Sequence, residues 1–393
     1  MSERKVRMGL IGYGGIGIAH GRTLSNNVPN VELVAICDHN PRQLERAKKE
    51  CPGLKYYATV DEILADPEVE AVHIAVPHYD HPTIGIQALK AGKHTMIEKP
   101  AGVYCKQVQE LNEVAAKSDK KFSIMLNLRA HPAYAKFHDI ITKQELGAIK
   151  RITWTVTDWY RPQPYHVRNE WCSTWEGEGG GTLINQNPHN LDMWQWLFGV
   201  PDTITSFVEF GKYYDIDVED EVVAHFKYKN GTTGVYITST GEHPGTNLLE
   251  VACDMGTLML HDNTRITFRR LESSEREYNK IATKPFGGAP QVWDCEIPVD
   301  MSTYAGHAPI FQSFAQAILD DTPMIAPGEE GIKALSMSNA IHYSTWKGNI
   351  PVDVANLDHE EYYQLLQERI KNSKYPMRKN VNKETADFSG SWK

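Results

Sequence analysis

The segment MIEKPAG occupies residues 96–102 and places a glutamate, a lysine and a proline directly after an apolar run that predicts the end of a strand. Ligands of parallel sheets bind outside the carboxyl ends of the strands, so Lys99 stands where a ligand would be met. A lysine amine whose pKa is lowered by partial burial and a nearby cation can accept the proton of an alcohol near neutral pH. We therefore expect Lys99 to take part in proton transfer rather than to be an ordinary surface lysine.

A glycine loop, GYGGIG, follows the first apolar run and precedes a helical stretch. Its G-x-G-x-x-G spacing is typical of loops that turn tightly and bring backbone amides against a pyrophosphate at a helix N-terminus. Asp38 ends the second apolar run, 21 positions after the last glycine, where a carboxylate accepts hydrogen bonds from ribose hydroxyls. The pattern predicts a dinucleotide site whose loop ligands are Gly12, Gly14, Gly15, Ile16 and Gly17.

The residues that follow the second apolar run favour NAD over NADP. The carboxylate of Asp38 would repel a 2′-phosphate, and His39 follows where NADP sites usually offer arginine or lysine. Arg42 is near enough to keep NADP as an alternative. We therefore expect NAD as the cofactor, contacted by Asp38 and His39.

The first third of the chain alternates short apolar runs with helical stretches, as in VELVAICD, VEAVHIAVP and KFSIMLN. Continuous apolar strands separated by helices are typical of a doubly wound parallel sheet covered on both faces. The remaining strands alternate apolar and polar residues, and KNGT at 229–232 is a hairpin signal. We predict a dinucleotide-binding domain over 1–128 and an α+β domain with a large, open, mostly antiparallel sheet over 129–393. Its tail, from about 373, is either disordered or an arm on a neighbour.

Composition excludes several classes of partner. The net charge of −9 disfavours nucleic acid and anionic membrane surfaces, and no run reaches the roughly 20 apolar residues of a membrane span. The six cysteines are scattered, which suits packing in a reducing compartment, and no histidine pair has metal-site spacing. We expect a cytoplasmic protein without a metal, and a homo-oligomer, dimer or tetramer, formed through the open sheet.

Five motifs occur in an order that resembles the glucose–fructose oxidoreductase, inositol dehydrogenase and rhizopine-catabolism family (Gfo/Idh/MocA). They are the glycine loop, the AVP strand end with His81, the EKP triplet, LNLR at 126–129 and GGGTLINQNPHNLDMW at 179–194. The resemblance covers nearly the whole chain. It implies a Rossmann domain joined to an open-sheet domain, and NAD- or NADP-dependent oxidation or reduction of carbohydrates and polyols.

The resemblance also implies roles for individual residues. Lys99 would hold the reacting hydroxyl and help to move its proton, and His189 would act as, or with, the general acid/base. Asn127 matches an asparagine near the nicotinamide. The other matches shape this corner or line the cofactor side: Pro77, His81 and Glu98.

One position departs from the family pattern. Most members carry aspartate four residues before the histidine, whereas this chain has Asn185. An amide can hydrogen-bond a substrate hydroxyl but cannot take its proton, so proton transfer would fall to Lys99 and His189. The exchange is also consistent with a different substrate, such as a glycoside.

The segment DWYRPQPYHVRNEWCSTW at 158–175 is dense in aromatic residues and arginine. Flat apolar rings suit the C–H faces of a pyranose and arginine suits its hydroxyls, although a packed loop over the sheet is the alternative. We expect substrate contacts from Asn185 and from Arg129, Tyr160, Tyr165 and Trp171.

These observations predict an NAD-dependent dehydrogenase acting on a secondary hydroxyl of a sugar, cyclitol or glycoside. The second alternative is a glycoside hydrolase, because some relatives keep NAD bound and use transient oxidation to cleave a glycosidic bond. A non-catalytic sugar or nucleotide sensor is the third alternative, and an intact Lys99 and His189 speak against it.

Overall fold

The computed structural model describes residues 4–143 and 146–378. Its first part alternates strands and helices, as the sequence predicts. The strands are β1 (Val6–Ile11), β2 (Val31–Cys37), β3 (Lys55–Tyr57), β4 (Ala71–Ile74), β5 (His94–Ile97) and β6 (Phe122–Ile124). The helices are α1 (Gly15–Asn26), α2 (Pro41–Glu50), α3 (Val60–Ala65), α4 (Asp80–Lys90) and α5 (Cys105–Ala116).

The six strands form one parallel sheet in the order β3-β2-β1-β4-β5-β6. Both β2 and β4 flank β1, so the strand order reverses there and leaves a crevice beyond the carboxyl ends. The central strands are almost wholly buried because helices cover both faces. Local signals agree with this fold, since Thr59 and Glu62 have the spacing that predicts a capping box and form that box at the start of α3.

The second part is an α+β unit. It starts with α6 (Pro132–Thr142), β7 (Ile149–Val156), α7 (Gln163–His166) and α8 (Pro188–Phe198). The strands that follow are β8 (Thr203–Phe210), β9 (Glu219–Lys227), β10 (Thr233–Ser239), β11 (Asn247–Cys253), β12 (Gly256–His261) and β13 (Arg265–Leu271). The last elements are α9 (Glu275–Ile281), β14 (Val292–Ile297), α10 (Ala308–Asp320), α11 (Gly331–Trp346), β15 (Val352–Asp353) and α12 (His359–Lys371).

Nine of these strands form an open sheet in the order β14-β13-β12-β11-β7-β10-β9-β8-β15. Neighbouring strands are antiparallel except β7 and β10. The predicted hairpin joins β9 to β10, with Gly231 at φ +91°. One face packs against α8 and α11, and side chains of the other face, such as Phe207 (60% exposed), lie on the surface.

Two features of these domains differ from the sequence-based expectation. The sequence predicts a helix through 181–197, but α8 begins only at Pro188 because residues 182–187 form turns. Helix α10 packs against α1, β1 and β2, so a segment beyond residue 128 completes the core of the parallel-sheet domain. The predicted domain boundary at residue 128 stays a prediction. Helix α10 lies beyond this boundary in the sequence but packs with the first domain.

The start of the tail lies on its own chain, which neither predicted alternative included. The Arg378 backbone N–H donates to the Glu170 carbonyl and its guanidinium to the Cys172 carbonyl. The Tyr375 N–H donates to the Asp217 carboxylate. Residues 379–393 lie outside the described part of the chain. Among the described residues, no helix has both the length and the apolar character needed to cross a membrane.

Candidate active site

A crevice with a volume of about 990 Å³ opens beyond the carboxyl ends of β1, β4 and β5. The second domain closes its other side with the segment 159–186 and the start of α8. It brings together most residues that the sequence singles out. They are Gly12, Gly14, Gly15, Ile16, Asp38, His39, Pro77, His81, Glu98, Lys99, Tyr165, Trp171, Asn185 and His189.

The glycine loop fits a dinucleotide. A Cβ on Gly12, whose φ is +93°, would lie 2.3 Å from the Ala75 carbonyl oxygen. A Cβ on Gly17, which lies beneath the loop, would lie 2.1 Å from the Gly12 oxygen. A Cβ on Gly14 would meet nothing within 4 Å, so this glycine leaves open space at the start of α1. The two outer glycines thus shape the turn, and Gly14 leaves room for a phosphate to approach the backbone.

Asp38 is positioned by the backbone at the end of β2. Its Oδ2 accepts from the Tyr13 N–H at 2.7 Å and its Oδ1 from the Asn40 N–H at 2.8 Å. Each carboxylate oxygen has further acceptor capacity, so Asp38 can also accept from ribose hydroxyls at the crevice wall. His39 is almost fully exposed at the rim.

Lys99 follows the end of β5 and its side chain crosses to the second domain. Its Nζ donates to the backbone carbonyl of Asn185 at 2.8 Å. Burial lowers the pKa of Lys99, although the negative charges of Glu98 and Glu178 oppose this shift. The amine is therefore closer to losing its proton than a solvated lysine is, and the crevice wall holds it in place.

Glu98 anchors the segment that carries Lys99. Its Oε1 accepts from His20 Nε2 at 2.5 Å, and its Oε2 accepts from the Lys99 N–H at 3.0 Å. Burial by itself would raise the pKa of Glu98, but the hydrogen bond and charge of His20 hold it well below its usual value. The carboxylate is thus ionised. The Lys99–Pro100 peptide bond is cis.

Among the described residues, donor atoms of His20, His73 and Glu98 lie within 4.8 Å of one another. Such a group is the kind that can hold a metal ion, but all three are buried and His20 is hydrogen-bonded to the carboxylate. The expectation that the protein holds no metal stays a prediction.

His189 lies in the first turn of α8, immediately after the N-terminal Pro188, and faces the same crevice as Lys99. Burial and the charge of Lys99 lower the pKa of His189 well below its usual value. The imidazole is therefore neutral at pH 7. His307, which precedes α10, also lines the crevice, and burial lowers its pKa to about 3.

An aromatic wall forms the second-domain side. The Tyr165 hydroxyl accepts from Gln186 Nε2 at 2.9 Å and from Asn185 Nδ2 at 3.3 Å. The Arg168 guanidinium lies 3.6 Å from the centre of the Tyr165 ring, and Trp171 packs edge-on against His78. This wall therefore offers both apolar rings and fixed cations.

Four predicted ligands do not line the crevice, and one of them is Gly17, which lies beneath the loop. Asn127 is buried behind it and donates to the Tyr304 hydroxyl at 3.4 Å. Arg129 is buried and makes a bidentate ion pair with Asp192, and this ion pair directs its side chain away from the crevice. Tyr160 is 42% exposed and lies against His243 outside the crevice.

Pro77 and His81 line the crevice near the carboxyl end of β4, and their contact with the cofactor stays a prediction. The His81 ring nitrogens face the carbonyl oxygens of Pro100 at 2.7 Å and Val76 at 2.8 Å, so the ring ties together the ends of β4 and β5. Sequence inspection missed other lining residues. Arg161 and Arg168 stood in the aromatic segment already noted, whereas Met377 and His307 come from distant parts of the chain with no local signal.

Two family models match the chain, one in its first part and one in its second. "Oxidoreductase family, NAD-binding Rossmann fold" matches residues 6–126, and "GFO/IDH/MocA C-terminal domain" matches residues 134–259. The chain belongs to the GFO/IDH/MocA oxidoreductase family. The predicted family, fold class and NAD-binding Rossmann domain are thereby confirmed.

Curated relatives in this family include dehydrogenases. The oxidoreductase ORF334 of Rhizobium meliloti is 27% identical over 54% of this chain and 62% of its own length. The chain thus spans less than two thirds of that relative. Inositol 2-dehydrogenase of Rhizobium meliloti is 24% identical over 85% of this chain and 95% of its own length.

A solved structure of similar fold is the WlbA dehydrogenase of Bordetella pertussis, in complex with NADH and UDP-GlcNAcA. It matches with a TM-score of 0.76 and 22% identity, over 89% of this chain and 99% of that one. At this identity the likeness supports the fold alone.

Proposed function

We propose that this protein is an NAD-dependent oxidoreductase that transfers a hydride between a secondary hydroxyl-bearing carbon of a sugar, cyclitol or glycoside and the nicotinamide. The observation that carries the proposal is that Lys99 and His189 line the same crevice as the glycine loop and Asp38. Curated relatives named as inositol dehydrogenases support this substrate class.

Oxidation of a secondary alcohol removes a hydride from carbon and a proton from oxygen, leaving a ketone. NAD, when bound, supplies the hydride acceptor. Lys99 Nζ receives the hydroxyl proton, because burial favours its neutral form. His189 hydrogen-bonds the same oxygen and can pass the proton on, since its neutral ring both donates and accepts.

The rest of the crevice orients the substrate. The rings of Tyr165 and Trp171 offer flat surfaces for the C–H faces of a ring-shaped polyol. Asn185 lines the crevice beside Lys99 and can bind a neighbouring hydroxyl. Asp38 favours NAD over NADP because its carboxylate would repel a 2′-phosphate.

We further propose a homo-oligomer that forms through the open sheet face and works in the cytoplasm. Exposed apolar side chains on that face, including Phe207 and Val223, support self-association. Five free, buried cysteines are consistent with a reducing compartment.

The test is incubation of the purified protein with myo-inositol, D-glucose and phenyl β-D-glucoside, each with NAD or NADP, while reduced cofactor is followed by absorbance. We expect NADH to accumulate with at least one compound, and less reduced cofactor with NADP. Release of phenol without net NADH would instead show a redox-assisted glycoside hydrolase. Tight NADH binding without turnover of any of the three would contradict the dehydrogenase.

A further inference from the structure

The chain lacks the aspartate that its family usually carries before the site histidine, but it buries another carboxyl group behind that position. Glu178 lies in the turn that precedes the glycines 179–181 and is almost fully buried. Its side chain does not line the crevice, whereas Asn185 does. Any influence of Glu178 on the substrate therefore passes through a neighbouring side chain.

Two N–H donors fix the Glu178 carboxylate. Its Oε2 accepts from the Ser173 N–H at 2.7 Å, and its Oε1 accepts from Asn185 Nδ2. The Glu178 carbonyl accepts from His78 Nδ1 at 3.0 Å, which holds the backbone of this turn. The backbone N–H of Ser173 occupies Oε2 and is fixed in the turn. Oε1 is therefore the oxygen whose hydrogen bond depends on the orientation of the Asn185 side chain.

The Asn185 amide has two different ends. With Nδ2 directed at Glu178 and the Tyr165 hydroxyl, Oδ1 is the end left for the crevice, and no described residue donates to it. The backbone carbonyl of the same residue accepts from Lys99 Nζ. Asn185 is thus held between Glu178 and Lys99.

We propose that Glu178 is the ionisable carboxyl group of this site and acts as a positioning residue by setting which end of the Asn185 amide faces the substrate. The proposal rests on the proposed function. When Glu178 is ionised, Asn185 Oδ1 faces the crevice and accepts from a substrate hydroxyl. When Glu178 is protonated, its proton lies on Oε1, the amide turns to accept it, and Nδ2 faces the crevice instead.

The pKa of Glu178 lies close enough to neutrality for both orientations of the Asn185 amide to be populated near pH 7. Burial raises the pKa of Glu178 to about 7, while Arg168 and the hydrogen bonds from Ser173 and Asn185 oppose the rise. The ionised fraction, and with it the acceptor at the crevice, therefore increases as pH rises through 7. The titratable and charged groups around Glu178 are His78, Lys99, Tyr165, Arg168, Cys172, Glu219 and Arg378.

A matched pair of variants tests this. In Glu178→Gln the single amide oxygen stays with the Ser173 N–H, so the new NH₂ group faces Asn185 and holds the amide in the turned orientation at every pH. In the double variant Glu178→Gln/Asn185→Asp, that NH₂ group donates to one carboxylate oxygen and the other oxygen faces the crevice. The carboxyl group and the amide have then exchanged places.

The experiment measures kcat/KM against pH for whichever of myo-inositol, D-glucose or phenyl β-D-glucoside the wild type oxidises. We expect kcat/KM of Glu178→Gln to be roughly tenfold or more below that of the wild type above pH 7. The rise in kcat/KM near pH 7 that reports ionisation of Glu178 should also be absent. The limb of the profile that reports deprotonation of Lys99 moves to lower pH, because the variant lacks the negative charge of Glu178 near the amine. The double variant regains most of the activity, and both variants bind NADH with wild-type affinity.

Two results overturn the proposal separately from the proposed function. If the wild type oxidises a compound and Glu178→Gln keeps both its rate and its limb near pH 7, Glu178 does not position Asn185. If both variants are equally impaired, the role of Glu178 is only structural. Absence of any wild-type turnover overturns the proposed function itself, and this inference with it.

Discussion

Lys99 and His189 differ from solution lysine and histidine because the fold buries His189 and half-buries Lys99 at one crevice. Burial destabilises the charged form of each, and the charge of Lys99 further lowers the pKa of His189. Glu98, held ionised by His20, limits how far the lysine shifts. The pair can therefore carry one proton between them, which is what reversible alcohol oxidation requires.

Asp38 gives a residue-scale prediction about cofactor choice. Asp38→Asn removes the charge that repels a 2′-phosphate while keeping one oxygen for the Tyr13 N–H. We expect the preference for NAD over NADP to fall by roughly tenfold, measured as the ratio of NADH and NADPH dissociation constants. Glu32→Gln, an exposed acid on the same strand, is the control and should leave the ratio unchanged. An unaltered ratio in Asp38→Asn would contradict the assigned role.

At the scale of elements, two glycines at the start of α1 should have different roles, one in cofactor binding and one in the stability of the loop. Gly14→Ala places a methyl group in open space at an ordinary φ of −81°, so the protein should keep its stability. The same methyl group stands where a pyrophosphate would approach, so NADH affinity should fall roughly tenfold or more. Calorimetric titration with NADH and a thermal melt of the apoprotein check both parts. Wild-type affinity in Gly14→Ala would refute this placement of the phosphates.

Gly17→Ala is the matched variant one turn away. Its Cβ would lie 2.1 Å from the Gly12 carbonyl oxygen, so the loop and α1 must move apart. We expect a loss of about 1–3 kcal/mol or more in the free energy of unfolding, measured by urea denaturation without cofactor. A stability equal to that of Gly14→Ala would show that the loop tolerates this movement.

At the scale of the whole molecule, a buried ion pair joins distant segments. Arg129 binds Asp192 of α8 through two nitrogens, and its guanidinium also contacts Glu330 before α11. Arg129→Met leaves the Asp192 carboxylate buried without a cationic partner, so we expect a loss of about 3–5 kcal/mol in unfolding free energy. Lys347→Met breaks a half-exposed pair with Glu361 and should cost under about 1 kcal/mol. Equal losses in denaturant titrations would contradict the importance of burial here.

The sequence was sufficient for features with local signals. Strand and helix order, the capping box, the glycine loop and the hairpin at 229–232 follow from periodicity and turn chemistry, and the motif order indicated that Lys99 and His189 share a site. Features set by packing between distant segments were not predictable. Helix α10 joins the parallel-sheet core, Arg129 turns to Asp192 rather than to the crevice, and Glu178, flanked by glycines, resembles a solvated acid in sequence although it is buried.

The central claim is that Lys99 receives the substrate proton in a crevice that binds NAD independently of that proton transfer. The most direct test is the Lys99→Met variant, assayed for NADH production with the compound that the wild type oxidises and titrated in parallel with NADH. The account predicts that turnover falls by roughly 10²- to 10⁴-fold, while NADH affinity stays that of the wild type. Turnover within a few fold of wild type, with NADH still bound, would contradict it.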